Sequence, residues 1–435
     1  MDKFIIRGGN PLLGTIRVSG AKNSALPCMA AAILTEDEII LENIPDVRDI
    51  QTERKLLVSM GAEVELGYGR AHHRTHIRCA ILSDPVARYE IVKTMRASSL
   101  VLGPLIARTG MARVSMPGGC AIGDRPIDLH IKGLQAMGAE IIQDHGYLEA
   151  RATRLKGTRI VFDKITVTGT EDLLMAATLA EGETLMENCA REPEVSDLAA
   201  LLVAMGANIE GAGTSTIRIQ GVERLHGARH RINPDRIEAG TFLIAGAISG
   251  GDLIVSACNP AHLSAIIRKL EETGARCDVL ADSVRVRSEG NLKGADISTE
   301  EYPGFPTDMQ AQYMALATQS EGVSQITENI FENRFMHVQE LSRMGANIRV
   351  DGRTATVRGK TPLSSAAVMA SDLRASASLV LAALVAEGET IIDRVYNIDR
   401  GYERIEDKLR NVGAQIRRIG NVFPEKQAVE QPAEA

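Results

Sequence analysis

Hydrophobic positions recur at helical spacing in six segments of the chain, and each segment ends in the same dipeptide. Each segment reads as an amphipathic helix that stops at Gly-Ala and continues into a short strand-like run. Glycine directly after a helix is typical of a C-terminal cap, because that position often needs a left-handed backbone. The pattern therefore predicts six helix–glycine–strand junctions, at Gly61-Ala62, Gly138-Ala139, Gly206-Ala207, Gly274-Ala275, Gly345-Ala346 and Gly413-Ala414.

The stretches between these junctions repeat as well. An apolar helix, a polar turn and an apolar strand recur as AAILTEDEIILENI, AATLAEGETLMENC, AGAISGGDLIVSAC, ALATQSEGVSQITENI and AALVAEGETIIDRV, with LIARTGMARVSM as the variant in the second unit. Units of roughly 70 residues are longer than the 20–50 residues of most solenoid repeats. We therefore expect an α/β protein of two domains with three units each, divided near the turn at Asn233-Pro234.

Composition argues against several classes of partner. The 49 Lys and Arg residues against 56 Asp and Glu give a net charge of −7, and aromatic residues make up 3% with no Trp. We therefore expect neither a broad nucleic-acid surface nor base-stacking platforms. The first residues lack the pattern of a signal peptide, and the longest apolar runs fall short of the roughly 20 residues that span a bilayer. Six dispersed cysteines without a Cys-x-x-Cys pair indicate reduced thiols and a cytoplasmic location.

Cations recur at equivalent positions near predicted helix starts. Lys22 and Arg374 both stand 39 residues before the glycine of their unit, whereas Arg125 and Arg400 stand 13 residues before theirs. Arg96 and Arg374 share the local sequence Arg-Ala-Ser. A helix dipole favours acids at the N-terminus, so cations there indicate an anionic ligand such as phosphate or carboxylate. The alternative is that each arginine pairs with an aspartate beside it in sequence.

One cysteine stands in a loop of glycines and charges. Cys120 follows Pro117-Gly118-Gly119 and precedes Asp124-Arg125. A neighbouring cation lowers the pKa of a thiol and makes it reactive, so Cys120 is a candidate for chemistry. The other cysteines lie in apolar contexts that are typical of small buried hydrophobes.

Three other places allow a plain structural interpretation beside a functional one. Asp308 opens an apolar helix, where capping is the commonest role of aspartate. Asn23 or Ser24 is placed to cap the first helix in the same way. The histidines between positions 72 and 76, with Cys79, have the irregular setting of a solvated hairpin, and we expect no metal site there.

Seven segments together resemble one family. They are GAKN at 20–23, TMRAS at 94–98, PGGCAIGDRP at 117–126, FPTDMQ at 305–310, FENRF at 331–335, DLRAS at 372–376 and DRGYE at 399–403. They resemble the UDP-N-acetylglucosamine enolpyruvyl transferases, and the resemblance extends from about residue 1 to residue 418.

The resemblance implies a two-domain inside-out α/β barrel with six pseudo-repeats, three in each domain, and a ligand cleft between the domains. Helices would lie inside and sheets outside. The N-terminal domain would span residues 21–232, and residues 1–20 would join residues 233–420 in the C-terminal domain. The polar tail, residues 421–435, is expected to be disordered.

The resemblance also implies a reaction. The family transfers the enolpyruvyl group of phosphoenolpyruvate to the 3′-hydroxyl of UDP-N-acetylglucosamine and releases phosphate, which starts peptidoglycan precursor synthesis. Neither a cofactor nor an obligate protein partner is implied. Lys22, Arg125 and Arg400 would bind phosphoenolpyruvate, with Arg96 and Arg374 nearby.

Further roles follow from the same resemblance. Cys120 would deliver the proton and form a covalent adduct with phosphoenolpyruvate, Asp308 would take the proton of the sugar hydroxyl, and Asn23 would hydrogen-bond the reacting centre. The nucleotide-sugar contacts would fall on Arg96, Arg125, Pro126, Ile127, Asp128, Leu129, Lys164, Ile165, Thr166, Val167, Asp308 and Ile330, with His130 near that strip. This sequence departs from the family at Thr168-Gly169, where Gly-Ala is expected.

Two alternatives remain open at this point. A shikimate-type transferase shares the six-unit architecture, but it is not expected to contain the loop around Cys120. A non-catalytic relative that senses UDP-sugars has no reason to keep Lys22, Cys120, Asp308 and Arg400 together. The intact set therefore favours the active transferase.

Overall fold

Helices and strands alternate along the chain as the hydrophobic pattern predicts. The computed structural model describes residues 2–67, 73–116 and 127–420. Its helices are α1 (Lys22–Ala31), α2 (Arg48–Ser59), α3 (Tyr89–Val92), α4 (Leu102–Thr109), α5 (Asp128–Ala136), α6 (Val167–Ala177), α7 (Pro193–Ala204), α8 (Arg236–Ile248), α9 (Ser264–Glu272), α10 (Gln310–Thr318), α11 (His337–Arg343), α12 (Leu373–Ala383) and α13 (Ile405–Arg410). Short 3-10 helices span Ala32–Leu34, Arg96–Val101, Pro260–Leu263, Thr307–Met309 and Val395–Arg400.

The strands are short, and most have five residues or fewer. They are β1 (Lys3–Arg7), β2 (Leu13–Arg17), β3 (Glu38–Glu42), β4 (Glu63–Gly67), β5 (Arg74–Arg78), β6 (Val86–Ala87), β7 (Met111–Ser115), β8 (Glu140–Asp144), β9 (Tyr147–Arg151), β10 (Arg159–Val161), β11 (Glu183–Glu187), β12 (Asn208–Glu210), β13 (Thr216–Gln220), β14 (Ala228–Arg231), β15 (Asp252–Ser256), β16 (Arg276–Val279), β17 (Ser283–Arg287), β18 (Ile297–Ser298), β19 (Gly322–Thr327), β20 (Asn347–Asp351), β21 (Thr354–Gly359), β22 (Ala367–Met369), β23 (Glu389–Asp393) and β24 (Gln415–Ile419).

The predicted glycine junctions are confirmed. All six glycines have φ between +94° and +105°, a left-handed conformation that side chains with a Cβ rarely adopt. Each of them stands between a helix and the strand that follows it, such as α2 and β4 around Gly61 or α7 and β12 around Gly206. The repeated Gly-Ala pair therefore marks a backbone turn that recurs six times in the described residues.

The described strands form six four-stranded sheets with one pairing pattern. In each sheet an edge strand runs parallel to its neighbour, and the next two pairings are antiparallel. Each sheet is open along its edges, and no sheet closes on itself within the described residues. The strand orders are β14-β3-β5-β4, β6-β7-β9-β8, β10-β11-β13-β12, β2-β15-β17-β16, β18-β19-β21-β20 and β22-β23-β1-β24.

The first two strands pair with strands of the second half of the chain. β1 lies between β23 and β24, with Phe4 opposite Ile392 and Arg418, and β2 runs parallel to β15. β14, far along the chain, completes the sheet of β3 and β5. The chain therefore crosses between its two halves twice, at residues 18–21 and 232–235.

The buried apolar side chains fall into two clusters. One contains residues 25–232, and the other contains residues 4–18 together with residues 237–416. The central helices are buried nearly all round; every residue of α10 is buried, including Gln310 and Gln312. Strands such as β13 alternate between buried and exposed positions. Helices therefore fill the two cores, and the sheets present their second faces to solvent.

Two further features concern the length of the helices and the state of the cysteines. No helix in the described ranges is long and apolar enough to cross a membrane. The five described cysteines, Cys28, Cys79, Cys189, Cys258 and Cys277, are free thiols, and all except Cys277 are buried.

Candidate functional site

The first helix begins with a buried cation. Lys22 is the first residue of α1 and is 8% exposed, and its Nζ lies 3.0 Å from Oδ2 of Asp49. Neither Asn23 nor Ser24 caps this helix through its side chain, so the capping interpretation is wrong here. Asn23 is the exposed residue of an otherwise buried helix. The first residue of α1 therefore forms a buried ion pair, and no side chain caps the helix.

Asp49 connects two parts of the chain that are far apart in sequence. Its Oδ1 accepts a hydrogen bond of 3.0 Å from Nε of Arg400, while Oδ2 faces Lys22. Burial alone would raise the pKa of Asp49, but Lys22 and Arg400 outweigh burial and lower it. Asp49 is therefore an anion at neutral pH, and it holds two cations at once.

The second carboxylate of the site is Asp308, in the 3-10 helix before α10. Its Oδ1 accepts 2.6 Å from Nη2 of Arg334, and its Oδ2 accepts 3.1 Å from Nε of Arg374. Burial would raise the pKa of Asp308, yet the two arginines hold it well below its usual range. Asp308 makes no side-chain capping bond, so the simple capping role considered above is wrong.

The arginines do not pair with the aspartates beside them in sequence. Asp372 instead caps α12 by accepting from the backbone N–H groups of Arg374 and Ala375. Asp399 binds Arg418, with an oxygen–nitrogen distance of 3.0 Å. Arg374 and Arg400 are therefore both directed to carboxylates elsewhere in the fold, and the neighbour-pairing alternative is wrong for these two.

Both carboxylates and their cations form one group, called here the ion cluster: Lys22, Asp49, Asp308, Arg334, Arg374 and Arg400. The charge of Lys22 helps to lower the pKa of Asp308, so the charged groups around Asp49 and those around Asp308 lie near each other. The cluster contains four cations and two carboxylates, an excess of two positive charges. Its side chains are mostly buried, but Asp308 is 28% exposed and Arg400 is 35% exposed. The ion cluster is therefore open to solvent at Asp308 and Arg400.

A second group of predicted residues gathers at the starts of α5 and α6. Arg96 begins a 3-10 helix that packs against α1 and α6. Burial, followed by the nearby charge of Arg96, lowers the pKa of His130 on α5 to about 4, and the backbone of Thr168, at the start of α6, lies near this histidine. Two helix N-termini and a cation therefore meet here, an arrangement that suits an anion.

The remaining predicted residues have simpler surroundings. Ile127 is buried just before α5, which Asp128 and Leu129 open. The side chain of Thr166 caps α6 by accepting from the Gly169 N–H at 3.2 Å. On either side of Thr166, Lys164 is exposed, and Ile165 and Val167 are half-buried.

Ile330 is tied to the surroundings of Asp308 through a shared carboxylate. The Ile330 N–H donates to Oε1 of Glu328, whose Oε2 accepts from Thr307 Oγ1 at 2.8 Å. Thr307 in turn accepts from Arg334 at 2.8 Å. Cys120, Arg125 and Pro126 lie outside the described residues.

Sequence reasoning assigned no role to Asp49, Glu53 or Arg334. The signal that would have found the two acids is the helical pattern of α2, where Asp49 and Glu53 share the buried face with Ile50, Leu56 and Leu57. Acids on an apolar face need partners or a proton. Among the described residues, no group of three or more His, Cys, Asp or Glu side chains is placed to hold a metal ion.

Glu53 lies one helical turn from Asp49 and has no such partners. Neither carboxyl oxygen has a hydrogen-bond partner among the described residues. Burial, reinforced by the charge of Asp49, raises the pKa of Glu53 from 4.5 to about 8. Glu53 is therefore mainly protonated at neutral pH, which leaves Asp49 as the anion of the pair.

This raised pKa predicts a pH-dependent stability. Between about pH 4.5 and 8 the folded chain holds a proton on Glu53 that the unfolded chain releases, so stability falls as the pH rises. We expect Glu53→Gln to raise the free energy of unfolding at pH 8 by about 1–3 kcal/mol, and with it Tm by several degrees. At pH 5 we expect little change in either quantity. Calorimetry at both pH values checks this, and an equal effect at the two values would contradict it.

Known proteins resemble this chain in sequence and in fold. The sequence model of the family described as EPSP synthase (3-phosphoshikimate 1-carboxyvinyltransferase) matches residues 6–409. A solved enolpyruvyl transferase, NikO from Streptomyces tendae, superposes with a TM-score of 0.86 at 26% identity, over 96% of this chain and 98% of that one. An EPSP synthase from Acinetobacter baumannii has the same fold, with a TM-score of 0.73 at 19% identity over 97% of this chain and all of that one.

Curated relatives are closer in sequence, and they have one name. The UDP-N-acetylglucosamine 1-carboxyvinyltransferase of Acidobacterium capsulatum is 81% identical over 99% of both chains. Proteins of the same name from Koribacter versatilis and Solibacter usitatus are 76% identical over 98% of both chains, and 63% identical over 96% of this chain and all of that one. The chain belongs to the enolpyruvyl transferase family and, within it, to the UDP-N-acetylglucosamine 1-carboxyvinyltransferases.

Proposed function

We propose that the chain transfers the enolpyruvyl group of phosphoenolpyruvate to the 3′-hydroxyl of UDP-N-acetylglucosamine and releases phosphate. This is the first committed step of peptidoglycan precursor synthesis. The observation that supports it most is the ion cluster, in which four cations face two carboxylates in a largely buried site. A small dianion or trianion would neutralise that excess, and phosphoenolpyruvate is such an anion.

Phosphoenolpyruvate would enter at the open side of the cluster. Lys22 and Arg400 would bind its phosphate or carboxylate, together with Arg125 as predicted from the sequence. Both cations are already fixed by Asp49, at 3.0 Å each. Phosphoenolpyruvate would therefore share both cations with Asp49, whose negative charge opposes that of the substrate.

The reaction would proceed by addition and elimination. Cys120, the predicted acid, protonates C3 of the enol, and the sugar hydroxyl adds to C2 as its proton passes to Asp308. The tetrahedral intermediate then loses a proton from C3 while the C2–O bond to phosphate breaks. These steps balance without an oxidant, a metal ion or a cofactor.

The surroundings of Asp308 set a condition on its role as base. Arg334 and Arg374 make it a weak base while both remain bonded to it. Its basicity rises if a substrate anion draws an arginine away, because each lost cation raises the pKa of a carboxylate. Substrate binding would therefore activate Asp308 as well as position the hydroxyl.

The nucleotide sugar would extend from Asp308 towards α5 and α6. Their N-termini, with Arg96 nearby, suit a diphosphate. The departure from the family at Thr168-Gly169 has a local reason at its second position. A Cβ on residue 169 would lie 2.5 Å from Cγ2 of Thr166, which caps the helix. Glycine therefore permits this cap.

We also propose the finer architecture that the resemblance implies. The six sheets with one pairing pattern would be six pseudo-repeats, arranged as two inside-out barrels with the cleft between them. The two apolar clusters support domains at 21–232 and at 1–20 with 233–420. Free thiols and the precursor chemistry favour the cytoplasm.

A phosphate-release assay tests the function directly. With phosphoenolpyruvate, we expect turnover with UDP-N-acetylglucosamine and none with shikimate 3-phosphate. Turnover with shikimate 3-phosphate alone would favour the shikimate-type alternative. Tight binding of UDP-N-acetylglucosamine with no phosphate release would favour the non-catalytic sensor.

Replacing Asp308 tests the base. We expect Asp308→Asn to lower kcat by about 10²–10⁴-fold, because asparagine keeps the shape but cannot take the proton. Tm should fall too, since Arg334 and Arg374 lose their anion. Asp278→Asn, which removes an exposed carboxylate beside Arg287, is the matched control and should keep full turnover. Normal turnover in Asp308→Asn at a permissive temperature would rule out the catalytic assignment.

A further inference from the structure

A large groove lies where the chain crosses between its two halves. It has a volume of about 990 Å³ and is lined by β2, by β14, by α13 and by the ends of β3 and β5. At its base the two crossings are joined by backbone bonds, from Ala21 to Asn233 at 2.7 Å and from Asp235 to Ser19 at 2.9 Å. We call it the junction groove. No residue of the ion cluster lines it.

The charge of the groove is opposite to that of the protein. Its described lining contains six cations, Arg17, Arg74, Arg229, Arg231, Arg404 and Lys408. Three carboxylates line it as well, Glu42, Glu403 and Asp407. The lining therefore has three excess positive charges, whereas the whole chain has a net charge of −7. A concave wall of one sign attracts ligands of the other.

The carboxylates of the groove are already engaged. Glu42 accepts from both Arg74 and Arg229. Glu403 accepts from Ser19 Oγ at 2.5 Å, and Asp407 accepts from Arg410 at 2.7 Å, outside the lining. Few carboxylate oxygens of the lining are therefore left to pair with its other cations.

Two arginines of the lining, one on β2 and one on β14, are left to face a ligand. Arg17 ends β2 and Arg231 ends β14, and both are exposed. Within the described ranges, neither has a carboxylate within ion-pair distance. Lys408 adds a third cation, fixed at 2.7 Å from Ser19 Oγ and at 2.6 Å from the buried Glu238.

We propose that the junction groove binds a small molecule that contains a diphosphate group. The planar guanidinium binds phosphate oxygens in pairs, and a diphosphate has the charge that the lining lacks. The volume lies within the range of small-molecule sites and admits a nucleotide. The inference does not depend on the proposed reaction, because the groove shares no residue with the ion cluster.

Calorimetric titration with inorganic pyrophosphate and with ADP, without divalent cations, tests the site. We expect both to bind the unmodified chain. Arg17→Gln/Arg231→Gln should raise Kd at least 10-fold, while Arg276→Gln/Arg349→Gln, two exposed arginines on β16 and β20 that do not line the groove, should leave it unchanged. Lys22→Ala should also leave it unchanged. Tighter binding of ADP would indicate a nucleotide ligand, and equal binding a free diphosphate.

Three results would overturn the proposal. They are no binding to the unmodified chain at millimolar concentration, unchanged affinity in the Arg17/Arg231 variant, and loss of binding in Lys22→Ala alone, which would place the anion in the ion cluster. Unchanged Tm and unchanged phosphate release in the groove variant show that it is folded. A failure here would leave the proposed reaction untouched.

Discussion

The carboxylate of Asp49, shared between Lys22 and Arg400, is the interaction on which the site depends. Lys22 is buried and Arg400 is partly exposed, and taking their charges out of water costs free energy unless a counter-ion lies beside them. One buried carboxylate offsets both costs, with a separation of 3.0 Å to each partner. It also leaves a positive excess in the whole cluster, so the resting site is stable yet still attracts an anion.

The topology of the chain brings Asp49 and Arg400 together. Asp49 and Arg400 are 351 positions apart, and each lies near the start or end of a short helix. Because β1 and β2 belong to sheets of the second half of the chain, α1 starts directly at a crossing between the halves. Lys22 is therefore held between the half that contains Asp49 and the half that contains Arg400. Any motion of one half relative to the other would change the distances from Asp49 to Lys22 and Arg400.

Local features of the fold could be predicted from the sequence, whereas the pairing of charges could not. The six glycine turns depend only on neighbouring residues, and they were found from a repeated dipeptide. Arg374 and Arg400 stood out by their equivalent spacing, but their partners lie 66 and 351 positions away. Asp49 and Arg334 were missed for that reason, since a single sequence does not show which distant side chains meet. Helix-capping rules failed at Asp308 because two arginines compete for its oxygens.

Removing the shared carboxylate tests this account most directly. In Asp49→Asn, Lys22 and Arg400 lose their counter-ion, and phosphoenolpyruvate no longer meets a negative charge beside them. The measurement is the rise in Tm that saturating phosphoenolpyruvate causes in the unmodified chain and in Asp49→Asn, without the nucleotide sugar. We expect Asp49→Asn to have a lower Tm without ligand and a larger rise in Tm with phosphoenolpyruvate. An equal or smaller rise would contradict it.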